Sequence, residues 1–183
     1  MVNTIDTEAN LVSLSARGNK QAFGKLYDLY LEQIYRYIYY RVSDYHEAED
    51  LTQAAFIKAW EKLPQGVNKA KINNFRAWIY KIAHNLVIDF YRGRKLLVSL
   101  DEVAERRDRD NNPEVVTTEH ETTRCLLQAI SHLDDKLKQV IILRFINQLD
   151  HAETAQIMGL KEGNVRVLQH RALVEIRKYY GEG

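Results

Sequence analysis

The sequence contains a single cysteine, Cys125, which excludes an internal disulfide framework and is typical of a reducing compartment. Only two prolines and eight glycines are present, so long stretches lack the residues that interrupt helices. The first residues, MVNTIDTEANLV, show neither the basic segment nor the apolar segment of a signal peptide. No apolar run approaches the roughly 20 residues that span a bilayer. We therefore expect a cytoplasmic, mainly helical protein that does not insert into membranes.

The chain has enough apolar residues for packed cores, and its charges are distributed very unevenly along the sequence. Hydrophobic residues make up 45% of the 183 residues, and the net charge is only +1. Between residues 69 and 95, seven basic side chains accompany one acid, Asp89. Between residues 101 and 121, eight acids accompany three arginines. A basic block next to an acidic block keeps the total near zero while leaving a local field that attracts phosphates.

Apolar periodicity predicts an all-α fold of two small helical domains joined by a flexible charged linker. Helices are expected over residues 20–41, 44–63 and 74–95, and the first domain is assigned to residues 1–96. From Leu96 the helical pattern breaks into a charged segment that ends in Asn-Asn-Pro, so residues 97–113 are assigned to the linker. Further helices fill a second domain over residues 114–183.

The stretch NFRAWIYKIAHNLVIDFYRGRK, residues 74–95, organises the first domain. Its apolar residues recur every three or four positions, as on a buried helix face: Phe75, Trp78, Ile79, Ile82, Leu86 and Phe90. Basic and aromatic side chains share the remaining surface, and such a helix can bind phosphates and stack on unpaired bases. The alternative is a core helix with a solvated basic face.

The preceding helix has a polar face beside large aromatic residues. Asp44 followed by Glu47 fits a capping box at its start, and Pro64 marks its end. Phe56 and Trp60 widen an alanine- and leucine-rich stripe, next to the polar Asp50 and Gln53. This arrangement fits either a protein-docking surface or a wide core face with ordinary solvated charges.

The segment HAETAQIMGLKEGNVRVLQHRALVEIRK has the layout of a helix-turn-helix. Asp150 and Glu153 predict a capping box, and Gly159 suits the left-handed residue that ends the first helix. Small and apolar packing positions are expected at Ala152, Ala155, Ile157, Leu160, Val165, Leu168 and Ala172. Polar residues project from the early part of the second helix: Asn164, Arg166, Gln169, His170 and Arg171. Arginine, asparagine and glutamine side chains can pair with base edges in a major groove.

The chain resembles the extracytoplasmic function sigma factors of bacterial RNA polymerase in three segments that follow one another in the same order. These segments are AEDLTQAAFIKAWEKL, the basic aromatic helix and the helix that contains GNVRVLQHRAL. The resemblance covers residues 21–95 and 122–179. It implies a region 2-like domain over residues 1–96, which binds core polymerase and recognises and melts the −10 promoter element. It implies a region 4-like helix-turn-helix domain over residues 114–183, which recognises the −35 element.

The resemblance also implies site residues. For core polymerase binding, through the clamp helices of the largest subunit, they are Asp50, Gln53, Phe56 and Trp60. For −10 recognition and melting they are Lys69, Lys71, Asn73, Asn74, Arg76, Trp78, Lys81, His84, Asn85 and Arg92. For −35 recognition they are Asn164, Arg166, Val167, Gln169, His170 and Arg171. The implied partners are core RNA polymerase, including its flap, and promoter DNA, with an anti-sigma factor as a further candidate.

Two other classes of protein remain as alternatives. A stand-alone helix-turn-helix transcriptional regulator would bind duplex DNA without polymerase and use the first domain to sense a ligand or to dimerise. An all-helical metal-dependent or hydrolytic enzyme would need a ligand set or a nucleophile, and the sequence has no recognisable spacing for either. We therefore expect no enzymatic activity, no metal and no cofactor.

Overall fold

The computed structural model describes residues 7–63, 72, 74–100 and 127–181. Throughout these residues the regular structure is helical and no strand is present, which confirms the predicted all-α class. The helices are α1 (Glu8–Ala16), α2 (Lys20–Val42), α3 (Tyr45–Lys62), α4 (Phe75–Leu100), α5 (Asp135–Ile141), α6 (His151–Met158) and α7 (Glu162–Gly181). A π-helical turn, Ile142–Ile146, follows α5, and residues 127–131 are also helical.

Short polar side chains begin α2 and α3, and the one at α3 is the Asp44 that the sequence predicted. The side chain of Asn19 accepts a hydrogen bond from the Ala22 amide at 3.0 Å, at the start of α2. Asp44 accepts from the Glu47 amide at 3.1 Å, which is the Asp44 half of the predicted capping box. These bonds satisfy amides that have no partner within the first helical turn. The α2–α3 boundary is therefore encoded locally.

The first four helices pack around the apolar stripe of α4. Phe75, Ile79, Ile82 and Leu86 are buried, as the periodicity predicted, whereas Trp78 and Phe90 are half-buried. Glu8 connects α1 to this core, because its carboxylate accepts hydrogen bonds from the Tyr30 hydroxyl and, at 3.2 Å, from the Phe75 amide. The packing therefore places the start of α4 beside α1 and α2.

The end of α4 differs from the prediction. The helix continues to Leu100, whereas the sequence pattern was expected to break from Leu96. Residues 96–100 contain neither glycine nor proline, so helix propagation meets no obstacle there even though the amphipathic stripe has ended. The rest of the predicted linker, residues 101–113, lies outside the described residues, as does Cys125.

The C-terminal helices form a second, smaller group. After α5 the chain changes to π-helical geometry over Ile142–Ile146. The turn ends where the Asn147 amide donates to the Ile142 carbonyl oxygen at 3.0 Å. Gln148 then adopts a positive φ of 54° before α6 begins. This change of geometry presents Asn147 toward the N-terminal helices.

The two helical groups are in direct contact. Helix α4 packs against α6, and α2 packs against the π-helical turn. Buried apolar residues of both groups belong to one continuous cluster, in which Tyr37 and Ile142 are both fully buried. The C-terminal group therefore covers part of the α4 surface that the sequence predicted to meet DNA.

Candidate nucleic-acid interface

Helices α6 and α7 form a helix-turn-helix whose geometry is fixed by local contacts. The predicted capping box is complete: Asp150 accepts from the Glu153 amide at 2.8 Å, and Glu153 accepts from the Asp150 amide at 3.1 Å. Gly159 ends α6 with a left-handed φ of 67°, also as predicted. These features set the angle at which α7 leaves the turn.

Most of the predicted packing positions hold the two helices together. Ala155, Ile157, Val165 and Ala172 are buried, and Leu160 and Leu168 are half-buried. The exception is Ala152, which was predicted to pack but is exposed. It lies in the first turn of α6.

The outward face of α7 carries five of the six residues predicted for −35 recognition. These five are exposed to solvent: Asn164, Arg166, Val167, His170 and Arg171. The sixth, Gln169, is half-buried, and its Oε1 atom accepts a hydrogen bond from Nε of Arg144 at 3.1 Å. The structure therefore brings together an open polar face, with Gln169 anchored to the π-helical turn at its edge.

The residues predicted for −10 recognition have different surroundings. Asn74 caps α4, since its Oδ1 atom accepts from the Ala77 amide at 2.8 Å, and its Nδ2 atom donates to Glu153 at 3.4 Å. Arg76 donates to the main-chain carbonyl of Asn147 at 2.9 Å and forms an ion pair with Glu153 at 3.5 Å. Both side chains are therefore engaged by the helix-turn-helix group.

Lys81 and His84 extend the same contact along α4. The Nζ atom of Lys81 donates to the Ile157 carbonyl oxygen at 2.7 Å. Nδ1 of His84, which is 8% exposed, lies 2.7 Å from Nε2 of Gln139 and 3.4 Å from the Tyr37 hydroxyl. Burial lowers the pKa of His84 to about 4, so the imidazole is neutral at neutral pH and accepts from the Gln139 amide.

The remaining predicted −10 residues are dispersed. Trp78 is half-buried and packs against Phe75, with ring centroids 5.6 Å apart. Asn85 and Arg92 are exposed, and Arg92 lies 4.0 Å from Asp89 in an i,i+3 ion pair. Lys69, Lys71 and Asn73 lie outside the described residues. The structure thus gathers Asn74, Arg76, Lys81 and His84 on one covered face and leaves Asn85 and Arg92 open.

Several residues of this contact were missed by the sequence analysis. Arg41, only 2% exposed, forms an ion pair with Asp135 at 2.8 Å, and its carbonyl oxygen accepts from the Tyr91 hydroxyl at 2.6 Å. The Tyr80 hydroxyl donates to Oδ1 of Asn147 at 3.0 Å. An arginine at the end of a helix and an asparagine before a turn are ordinary exposed residues by sequence, so no local signal identified them.

The predicted polymerase-docking residues on α3 fall into two groups. Asp50 and Gln53 are exposed, and Trp60 is half-buried with its ring 5.0 Å from that of Phe23. Phe56 is buried at 3% exposure, and its ring packs edge-on against that of Tyr27, with ring centroids 4.7 Å apart. The burial of Phe56 places its ring in the core beneath α3, and its role in polymerase binding stays a prediction.

The described residues hold no group of three or more His, Cys, Asp or Glu side chains that could bind a metal ion. Within the same part of the chain, every helix is too short or too polar to cross a membrane.

Comparison with known proteins adds family matches to this geometry. Residues 26–96 match the Sigma-70 region 2 family, and residues 123–176 match the Sigma-70 region 4 family. The chain is 33% identical over 173 residues to the ECF RNA polymerase sigma factor SigW of Bacillus subtilis, covering 88% of this chain and 90% of SigW. It is 37% identical over 165 residues to the ECF RNA polymerase sigma factor BldN of Streptomyces coelicolor, covering 89% of this chain and 62% of BldN.

A solved structure has the same fold. It is the sigma factor RpoE in complex with the anti-sigma factor NepR from Bartonella quintana, with a TM-score of 0.66 and 21% identity. The match covers 85% of this chain and 94% of the other.

Proposed function

The chain belongs to the extracytoplasmic function sigma factors of RNA polymerase, and we propose that it divides promoter recognition between two surfaces, on α7 and on α4. In this proposal residues 114–183 recognise the −35 element and residues 1–96 recognise and melt the −10 element. The two domains are joined by residues 97–113. The observation that carries the proposal is the open polar face of α7 on a rigid helix-turn-helix.

The proposed −35 surface consists of Asn164, Arg166, Val167, His170 and Arg171. Arginine and asparagine side chains make bidentate contacts with guanine and adenine in the major groove, and an exposed valine can contact a thymine methyl group. Gln169, held by Arg144, would orient the edge of this surface. Arg166 is paired only loosely with Glu162, at 3.8 Å, so little is lost when the side chain turns to DNA.

The proposed −10 surface is the cationic side of α4 with Asn74, Arg76, Trp78, Lys81 and Asn85. Opening a duplex costs about 1.4 kcal/mol per stacked step, and stacking an unpaired base on an aromatic ring returns about 1–3 kcal/mol. Half-buried Trp78 is positioned by Phe75 for such stacking. Melting by capture needs no covalent chemistry, so we assign no catalytic residue and no cofactor.

Polymerase binding is proposed for the exposed side of α3. Asp50 and Gln53 would make the polar contacts, and Trp60 would supply a partly buried aromatic anchor. Interfaces often centre on such aromatic residues with polar groups around them. A further proposed partner is an anti-sigma factor, because the Bartonella quintana sigma factor of the same fold was solved with one. A protein that works with bacterial polymerase acts in the cytoplasm.

The regulator alternative offers no reason for residues 26–96 to match Sigma-70 region 2. Mixing the purified chain with bacterial core RNA polymerase and measuring co-elution tests the sigma assignment directly. The doubly substituted Asp50→Ala, Gln53→Ala chain should co-elute at least about tenfold less, because both contacts are lost. A matched control, Glu175→Ala with Gln156→Ala, removes one exposed acid and one exposed amide from the C-terminal helices and should bind as the parent does.

A folded parent chain that never co-elutes with core polymerase would contradict the proposal. Equal loss in both double variants would contradict the assignment of α3.

A further inference from the structure

Glu8, in the first turn of α1, joins three helices at the point where the proposed −10 surface begins. One oxygen of its carboxylate accepts a hydrogen bond from the Phe75 amide at 3.2 Å, and the other accepts one from the Tyr30 hydroxyl. The two donors lie in α4 and α2, 67 and 22 positions from Glu8 in the chain. The carboxylate therefore holds the start of α4 against α2.

The first turn of α4 is capped from two directions. The Phe75 amide is one of the donors at the start of a helix that have no acceptor within it. Asn74 satisfies another such donor, because its Oδ1 atom accepts from the Ala77 amide at 2.8 Å. A carboxylate is also favoured here, since the N-terminal end of a helix carries partial positive charge. One cap thus comes from the adjacent residue and the other from Glu8 on a different helix.

A row of three aromatic rings leads from this carboxylate to the proposed base-stacking side chain. The ring centroids of Tyr30 and Phe75 are 5.4 Å apart, and those of Phe75 and Trp78 are 5.6 Å apart. Aromatic rings attract each other at these separations. Tyr30 and Phe75 are 7% and 1% exposed, whereas Trp78 is half-buried. Trp78 therefore leans on Phe75 and Tyr30, and Glu8 bonds to both of these residues.

Attachment of α1 to the core does not need the carboxylate. Leu11 and Val12 are 3% and 9% exposed, and they belong to the same apolar cluster as Tyr30 and Phe75. An apolar side chain at position 8 would serve attachment equally well. Both oxygens of Glu8 instead accept from the two residues that support Trp78.

Resting on the proposed function, we propose that Glu8 and Tyr30 are positioning residues for capture of the melted −10 strand. They fix the first turn of α4 and, through the Phe75 ring, hold the Trp78 ring in the orientation on which an unpaired base stacks. Neither residue contacts DNA itself. A ring that is already held in place loses less freedom when a base binds, which is the gain from pre-organisation. Helix α1 is thereby part of the strand-capture apparatus.

The affinity of the holoenzyme for single-stranded DNA tests this role. The full chain is bound to core RNA polymerase, and a labelled mixed-sequence single-stranded oligonucleotide is followed by fluorescence anisotropy. Trp78→Ala should weaken binding at least about fivefold, because base stacking is lost. Glu8→Ala should weaken binding about three- to fivefold, because the ring is no longer held. Asp28→Ala removes an exposed acid from α2 with the same change of charge and should bind as the parent does.

Combination of the two substitutions separates positioning from a general loss of structure. When Glu8 acts through Trp78, Glu8→Ala introduced into the Trp78→Ala chain should cause no further loss, whereas independent effects would add. Glu8→Gln keeps a carbonyl oxygen that can accept from the Phe75 amide. This conservative variant should therefore bind the oligonucleotide within about twofold of the parent.

The Trp78 ring itself gives a second measurement in the free chain. The sequence has two tryptophans, so a Trp60→Phe background leaves Trp78 as the only one. In this background Glu8→Ala should reduce the near-ultraviolet circular dichroism of Trp78 while the helical signal stays unchanged. Asp28→Ala should leave both signals as they are.

Should Glu8→Ala lose its helical circular dichroism, Tyr30→Phe replaces it. This variant keeps the ring and removes only the hydroxyl that donates to Glu8, so a smaller loss is expected, again absent in the Trp78→Ala chain. The proposal is overturned when the substituted holoenzyme binds the oligonucleotide as the parent does, when its loss adds to that of Trp78→Ala, or when Glu8→Gln is as weak as Glu8→Ala. An unchanged Trp78→Ala holoenzyme would instead contradict the stacking role in the proposed function.

Discussion

Lys81 in the middle of α4 donates a hydrogen bond of 2.7 Å to the carbonyl oxygen of Ile157, 76 positions later in the chain. The acceptor lies in the last turn of α6, where carbonyl groups have no partner within the helix and attract cations. Lys81 therefore caps the first helix of the helix-turn-helix from another domain. Lys81 is thus both a proposed strand contact and a contact between the two helical groups.

Gly159 tests the importance of the turn that presents α7. Its φ of 67° is left-handed, so Gly159→Ala should lower the free energy of unfolding by about 1–2 kcal/mol. Gly24→Ala is the matched control, because Gly24 lies inside α2 with open space around it, and alanine there should stabilise by about 0.5–1 kcal/mol. Urea denaturation of the three chains measures both effects. Equal midpoints would contradict the strained-turn interpretation.

Phe56 is expected to act on stability. Phe56→Ala removes a buried ring that packs against Tyr27 and should cost about 3–5 kcal/mol of unfolding free energy. The neighbouring Ile57 is 58% exposed, so Ile57→Ala should change stability by no more than about 0.5 kcal/mol. Thermal or urea unfolding distinguishes them. A Phe56→Ala chain as stable as the parent would contradict the core role of this ring.

Arg171 should contribute to duplex binding. Because it lies on the open face of α7, Arg171→Ala should weaken binding of the full chain to a mixed-sequence duplex and reduce the salt dependence of affinity by about one unit. Arg177→Ala removes the same exposed charge further along α7 and serves as the control. Fluorescence anisotropy at several salt concentrations gives both slopes. An identical change in the two variants would mean that only overall charge matters.

His84 should make stability depend on pH. Its pKa is lowered to about 4, chiefly by burial and also by the charges of Arg41 and Lys81, while the Asp135 carboxylate opposes them. The unfolded chain takes up a proton near its ordinary pKa of 6.5, whereas the folded chain stays neutral until about 4. Stability from neutral His84 is therefore complete above pH 6.5 and falls as pH drops from 6.5 toward 4.

The comparison is between the parent and His84→Gln, which cannot titrate. From pH 7 to pH 5 the parent should lose up to about 2 kcal/mol more unfolding free energy than the variant, measured by urea denaturation at each pH. Parallel pH profiles would mean that folding does not lower the pKa of His84.

The sequence by itself determined the local features of this protein. The helical period of apolar residues and the capping residues located α2, α3, α6 and α7, because each of these signals acts within a few residues of the chain. The same local patterns predicted the buried face of α4 and the exposed face of α7. The end of α4 was missed because the amphipathic stripe stops before the helix does, and the π-helical turn at Ile142 had no sequence signal.

Only the tertiary structure decided which polar side chains are free. Sequence reasoning treated Arg76, Lys81 and His84 as one solvent-facing surface, and it left Arg41, Gln139 and Asn147 unremarked. Their pairing depends on how two helical groups dock, and partners so far apart in the chain leave no periodic trace. A period of 3.6 residues reports which face of a helix is apolar. It does not report whether another domain covers the polar face, because that is set by the balance of paired charges and desolvation across the contact.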